Sequence, residues 1–317
     1  MSFPSLLQFL KKQPIPIIFE KILKTLVLGG SGFLGSHVAD QLILAGHDVR
    51  VFDRESSQWL HPDQEMIVGD LSDRYALEDA IKGCDAVYNF AAIADLDEAL
   101  SKPVETARIN VLGNVQVLEA CRKARVQRYI YASTVYVYSR DGGFYRCSKQ
   151  AAEHYVEEYQ RSYGLDYTIL RYGSLYGPRS DQRNGLWRIV KNALQTGTVK
   201  YEGSPESLRE YIHVEDAAKA SVDVLKEEFC NEHLVLTGHE PMRVLDLLEM
   251  LREILGFKEG SVNFVPAEHS GHYVRTPYSY QPKLGRKYTP PLHVDLGQGL
   301  LELIEEVQQS RQASTPE

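Results

Sequence analysis

Residues 25–28, Thr-Leu-Val-Leu, form a short apolar run suited to a buried parallel strand. The run leads directly into Gly29-Gly30-Ser31-Gly32-Phe33-Leu34-Gly35, behind which a helical pattern opens over residues 36–45. The glycines fit two spacings, one through Gly29, Gly32 and Gly35 and one through Gly30, Gly32 and Gly35. Missing side chains let backbone amides come close to a pyrophosphate at the positive end of a helix. A tight structural turn uses glycine too, so the turn alone is a modest signal. The absence of a Gly-Lys-Ser/Thr sequence excludes a P-loop. The next strand, residues 48–53, ends in Asp53, about 20 residues beyond the glycines, where a carboxylate can take the adenosine ribose hydroxyls. An acid there repels a 2′-phosphate, which favours NAD over NADP, although the adjacent Arg54 softens the preference.

Further along, Gly69-Asp70-Leu71 follows a strand in a position to touch adenine, and Asp70 can equally be read as a cap for the helix after Ser72. Residues 86–92 read as a fourth strand, bringing Phe90, Ala91 and Ala92 onto the cofactor. A fifth strand over residues 128–132 ends at Ser133 and Thr134, and a helix carrying Tyr145 and Lys149 follows after a short loop. Four residues apart, the phenol and the ammonium share one helical face. A lysine charge beside a phenol favours the phenolate, so the spacing predicts that Tyr145 acts as a base near neutral pH. Tyr-x-x-x-Lys also arises by chance on surface helices. Its weight here comes from its order after Thr134, which puts hydroxyl and phenol at the same sheet edge.

In this order the motifs resemble the extended short-chain dehydrogenase/reductases of the nucleotide-sugar epimerase/dehydratase family, from about Lys24 to about Glu306. Besides the elements above, the resemblance rests on Asn110-Val111-Leu112-Gly113-Asn114, Leu170-Arg171-Tyr172, Leu175-Tyr176-Gly177-Pro178 and Arg209-Glu210-Tyr211-Ile212-His213-Val214-Glu215-Asp216. It implies that Tyr145 exchanges a proton with a sugar hydroxyl, Thr134 and Ser133 bond the oxygen as it becomes a ketone, and Lys149 holds the nicotinamide ribose. It further implies that Asn110, Ser133 and Tyr172 border the cofactor, and that Ser174, Arg209 and Arg275 face the substrate, Arg209 at the pyrophosphate. In the resembled 4-epimerases the keto-sugar turns over in the site and takes its hydride back on the other face.

The departures from the family pattern sort its branches. The 4,6-dehydratases place an acid pair after the threonine; Val135 and Tyr136 stand there, neither suited to acid–base work near pH 7, so dehydration is not expected. Ser174 replaces a common asparagine, the second phosphate arginine is out of register with Arg275 beyond Gly271, and only residues 139–144 separate Tyr138 from Tyr145. The first two changes imply rearranged phosphate recognition and speak against the usual UDP-hexose, and the shorter loop leaves room for a larger or modified sugar. The expectation is a nucleotide-sugar 4-epimerase, with a 4-dehydrogenase that releases the keto-sugar as the alternative. A non-catalytic dinucleotide-binding module is a third reading, disfavoured because Thr134, Tyr145 and Lys149 are all retained.

The 317 residues allow a doubly wound parallel Rossmann sheet (residues 24–171 and 210–238) with a smaller, interleaved α/β substrate lobe (172–209 and 239–306), an N-terminal extension (1–23) and a tail (307–317). A net charge of −8 argues against nucleic acid, and no stretch is long enough to span a membrane. The four cysteines, Cys84, Cys121, Cys147 and Cys230, suggest neither a metal site nor a disulfide framework, which fits a cytoplasmic protein. By family analogy the chain is expected to form a homodimer through helices at residues 104–125 and 145–163.

Overall fold

The computed structural model describes residues 21–265 and 286–313; the N-terminal arm, Arg275 and the segment around Gly271 lie outside them. Strands β1 (Lys24–Leu28), β2 (Asp48–Asp53), β3 (Gln64–Val68), β4 (Ala86–Asn89), β5 (Arg128–Thr134) and β6 (Asp166–Tyr172) alternate with helices, as expected of a doubly wound sheet. With β11 (Glu232–Leu236) and β14 (Arg286–Lys287) they make one parallel eight-stranded sheet in the order β14-β11-β6-β5-β4-β1-β2-β3. The order reverses between β1 and β4, which opens a crevice at the carboxyl ends of these strands.

Both sheet faces are buried, which is why the strands read as continuous apolar runs. Leu26 and Leu28 of β1 point to one face, where Leu77 of α2 (Arg74–Ile81), Val117 and Leu118 of α5 (Asn114–Ala124), and Ala152 and Val156 of α6 (Gly143–Tyr163) cover them. Val27 points the other way, against Val38 and Leu42 of α1 (Phe33–Leu44) and Ala217 and Val222 of α8 (Val214–Asp223). Each such buried aliphatic side chain contributes about 1.5–3 kcal/mol.

A separate core builds the second lobe. Leu186 and Val190 of α7 (Gly185–Thr196), Leu247 and Leu251 of α9 (Val244–Ile254), and Leu300, Leu303 and Val307 of α10 (Leu296–Ala313) close on Tyr176 of β7 (Ser174–Tyr176). Two details differ from the sequence expectation. β14, from the segment assigned to the second lobe, returns to pair with β11 at the edge of the large sheet, and α10 runs through residue 306 because Val307 is fully buried.

The helix expected over residues 104–125 is continuous in path but not in winding. Between α4 (Pro103–Ala107) and α5 the residues Arg108–Gly113 form a π-helical turn. Such wide turns concentrate at functional sites because they push a side chain out of helical register. Here the turn carries Asn110.

Candidate functional site

The turn after β1 is shaped by close approach. Gly29 has φ +77°, and a Cβ on it would stand 2.7 Å from the Ala91 amide nitrogen and 2.8 Å from the Phe90 carbonyl carbon. A Cβ on Gly35 would overlap the Gly29 carbonyl oxygen, so the helix starts against bare backbone. Gly32 stands at the N-cap of α1 with no side-chain cap, and the first turn, with half-buried Phe33 and Leu34, has no acid. The positive end of this helix is therefore open to an anion.

Asp53 is held in place at the end of β2. One carboxylate oxygen accepts from the Ser31 amide (3.0 Å) and the other from the Arg54 amide (2.7 Å), while the Arg54 side chain is exposed. Asp70 forms a local turn, accepting from the Ser72 amide and hydroxyl at 2.8 and 2.7 Å, and these bonds depress its pKa. The cap of α2 is Asp73, which accepts from the amides of Tyr75 and Ala76. The cap reading of Asp70 is thus corrected by one turn of chain. Leu71 packs on the core beneath, beside Gly113.

The loop after β4 is tied down from below. Asn89 Oδ1 accepts from the Ala91 amide, and its Nδ2 donates to Asn114 and Tyr129. Asn110 accepts from the Ile93 amide (2.8 Å) and donates to the Ile93 carbonyl and the Ser148 hydroxyl, both at 2.9 Å. Its amide joins the loop that bears Phe90, Ala91 and Ala92 to the helix that bears Tyr145.

Thr134 closes β5 and Tyr145 lies in the first turns of α6, with the Thr134 hydroxyl beside the phenol; Thr134 Oγ1 also accepts from the Tyr136 amide at 3.3 Å. Lys149, only 3% exposed, donates to the Ala132 carbonyl at 2.7 Å and stands 4.8 Å from the centre of the Tyr131 ring and 5.8 Å from that of Tyr145. Tyr136 meets Tyr145 edge-on, with ring centres 6.4 Å apart. The structure therefore brings the three expected residues together. Their electrostatics differ from the expectation. Burial pushes the Tyr145 phenol up to about 12, partly offset by the Thr134 hydroxyl, and pulls the Lys149 ammonium down to about 7. Desolvation of each charged form outweighs the Thr134 hydroxyl at Tyr145 and the Glu153 charge at Lys149, a depth effect that spacing alone does not carry.

Other expected residues have partners of their own. Ser133 is buried and donates its hydroxyl to Glu153 at 2.5 Å; the Tyr172 hydroxyl pairs with Ser221 at 2.6 Å on the α8 side. Ser174 begins β7, and its amide donates to the Glu210 carbonyl. Arg209 is buried in β9 (Leu208–Arg209) and donates to the Leu208 carbonyl. Arg275 lies outside the described residues. Among the described residues no group of His, Cys, Asp and Glu is arranged to hold a metal ion, and no helix is long and apolar enough to cross a membrane.

Sequence reading missed a buried charged cluster below the site. Glu153 accepts from Arg171 through Nε (3.0 Å) and Nη2 (2.7 Å), and Arg171 also donates to the Tyr138 hydroxyl (2.5 Å) and lies 2.9 Å from His233 Nδ1. The available signal was Glu153 standing four residues after Lys149.

A parallel sheet with its crevice at the β1/β4 switch point, a glycine cradle, and a Thr-Tyr-Lys group at the next strand end together define an extended short-chain dehydrogenase/reductase. Residues 25–236 match the model of the NAD dependent epimerase/dehydratase family, and the chain belongs to that family of NAD-dependent enzymes. It is 28% identical over 303 residues to a putative UDP-glucose 4-epimerase of Methanocaldococcus jannaschii, covering 88% of this chain and 96% of the relative. The structure of a UDP-glucose 4-epimerase of Thermotoga maritima, determined with UDP-glucose, superposes with a TM-score of 0.79 at 28% identity, covering 91% of this chain and 100% of the other. A dTDP-glucose 4,6-dehydratase of Streptomyces venezuelae, a double mutant with NAD bound, gives 0.79 at 27% identity over 91% and 98% of the chains.

Proposed function

We propose that the enzyme is a nucleotide-sugar 4-epimerase, with Thr134, Tyr145 and Lys149 as its reacting group. The observation that carries this reading is the Thr134 hydroxyl beside the Tyr145 phenol, with Lys149 5.8 Å from that ring's centre, at the end of β5, and Val135 and Tyr136 where a dehydratase needs acids. The glycine cradle, the open end of α1 and the fixed Asp53 carboxylate fit NAD: Gly29, Gly32 and Gly35 would hold its pyrophosphate and Asp53 its adenosine ribose. NAD would supply a reversible hydride acceptor for the sugar's C4 and a positive ring that favours the phenolate.

Tyr145 receives the proton of the sugar C4 hydroxyl and gives it back on reduction. Thr134 hydrogen-bonds that oxygen throughout, and Lys149, anchored by the Ala132 carbonyl, supplies positive charge beneath the phenol. We assign Ser174 and Arg209 to the substrate, Arg209 to its diphosphate. The reading is tested by incubating the protein and NAD with a panel of UDP- and dTDP-hexoses and following C4 by NMR. Inverted C4 without net NADH supports it; a released ketone with stoichiometric NADH turns the assignment to a 4-dehydrogenase.

We further propose a homodimer built on α4, α5 and α6, which lie side by side. Val104, Leu112, Tyr155 and Tyr163 are exposed on these helices and the π turn, at 81%, 53%, 46% and 60%. Apolar side chains in such number on one helical surface fit a partner helix pair. A monomer in sedimentation at micromolar concentration overturns it.

A further inference from the structure

The cluster under the active site is placed to act on the reaction. Glu153 is one helical turn beyond Lys149 on α6, so the carboxylate and the amine share a face, and both are buried, at 4% and 3% exposure. Three donors hold the carboxylate: the Ser133 hydroxyl from β5, and Nε and Nη2 of Arg171 from β6. Ser133 is the immediate neighbour of Thr134, and Ala132, on its other side, carries the carbonyl that anchors Lys149. One carboxylate is thus tied to the strand end on which the site is built. We propose that Glu153 is a positioning residue that keeps Lys149 charged and fixes the end of β5 beneath Tyr145.

The remaining groups around the pair agree with this assignment. Lys149 faces the rings of Tyr131 and Tyr145, both neutral phenols in the cofactor-free protein, and the Ala132 carbonyl. Burial drives the Lys149 pKa down, and Glu153 is the charge that opposes the fall. Glu153 itself is faced by Arg171 from β6, by Tyr138 through Arg171, and by His233 of β11 at 4.0 Å; Glu157 on the next turn of α6 pairs with His233 Nε2 at 3.1 Å, and the Tyr167 hydroxyl lies 3.3 Å from that nitrogen. Arg171 compensates the carboxylate through both of its oxygens.

This role rests on Lys149 assisting Tyr145, and its test reads Lys149 directly. The whole protein is prepared with lysine carbon-13-labelled at Cε, and the Lys149 signal is identified by its loss in Lys149→Met. Its titration midpoint is then compared in Glu153→Gln, in Glu153→Asp and in the double variant Glu153→Gln/Arg171→Met. The double variant leaves no buried guanidinium unpaired and so keeps the test readable if the single variant fails to fold. The midpoint should fall by about one pH unit or more in Glu153→Gln and in the double variant, and recover in Glu153→Asp. Turnover at pH 7 should fall by about fivefold or more in step with the lost charge. A wild-type midpoint in the double variant overturns the proposal, because the cluster then only packs. If the midpoint moves as stated while the unmutated protein turns over no nucleotide sugar, the proposed function fails and the role of Glu153 in charging Lys149 stands.

Discussion

Lys149 lies one helical turn from Tyr145, yet its ammonium is bonded to the Ala132 carbonyl at 2.7 Å and stands 5.8 Å from the centre of the phenol ring. The lysine is anchored to the strand end, with the phenol ring beside it. With the phenol pushed up to about 12 and the amine down to about 7, Tyr145 is neutral and Lys149 about half protonated near pH 7.

Tyr145→Phe removes the atom that exchanges the proton. Turnover should drop by at least about 10²-fold, the lower end of what a placed acid–base group contributes. NAD binding, read by calorimetry, should persist, and the fold should lose no more than about 1 kcal/mol, since only the phenol oxygen beside Thr134 is given up. Near-normal turnover in this variant contradicts the mechanism.

Lys149 carries a stability signature of its own. Its folded-state pKa lies well below its unfolded value, so between about 7 and the usual lysine range the unfolded chain binds more protons than the native one. The lysine's contribution to stability therefore rises with pH across that window, and below it the burial penalty is paid in full. Lys149→Met should lose turnover and weaken NAD binding while gaining thermal stability at pH 7, and the gain should shrink toward pH 10. Denaturant titrations of both proteins across this range check the sign. An equal difference at every pH would show that Lys149 titrates normally.

The contrast shows what the chain made legible. The strand-turn-helix of residues 24–44, Asp53 at its strand end and the Tyr145/Lys149 helix follow from local pattern, because glycine spacing, apolar runs and helical period are written in neighbouring residues. The direction of the two pKa shifts was not legible, since it depends on how deeply each group is buried by other parts of the chain. The Glu153–Arg171 pair was hidden for a related reason: it joins α6 to β6 and exists only once the sheet is assembled. The π turn at Asn110 also escaped, because its register is set by the bonds to Ile93 and Ser148.

Asp53 has two duties that one substitution separates. On the proposed reading it takes the adenosine ribose and would face a 2′-phosphate, and it holds the Ser31 amide of the glycine turn. Asp53→Ala should weaken NAD by about tenfold through loss of a charged hydrogen bond and raise NADP affinity, narrowing the preference. Asp53→Asn keeps an acceptor for Ser31 and should recover the turn while still admitting NADP. Calorimetric titration of both cofactors decides; equal affinities in the unmutated protein would show that Arg54 dominates.

Gly29→Ala tests the cradle. At φ +77° an alanine costs about 1–2 kcal/mol, and its Cβ would press on the Ala91 amide. NAD binding should be lost well before the fold, as measured by comparing calorimetric affinity with the thermal midpoint. Full NAD affinity in this variant would show that the turn does not hold the cofactor.

The reaction outcome is set by the turn after Thr134. Residues Val135–Tyr138 form a short 3-10 helix in which Val135 is 1% exposed and packs with Val137, Tyr138 and Val235. Position 135 therefore lies in a small apolar core, away from solvent and reactants. Tyr136 sits edge-on to Tyr145, where its phenol is poorly matched to pull a carbon-bound proton or to protonate a leaving hydroxyl near pH 7. No 4-keto-6-deoxy product should form from any nucleotide sugar: by mass spectrometry the product should match the substrate, as in epimerisation, and never be lighter by one water. The same packing predicts that Val135→Asp does not create a dehydratase. A carboxyl there is buried among aliphatic and aromatic side chains, so the variant should lose roughly 2–5 kcal/mol of stability and gain no water-loss product. A water-loss product from the unmutated enzyme would sink the epimerase assignment, and one from Val135→Asp would show that this turn reorients to face the sugar.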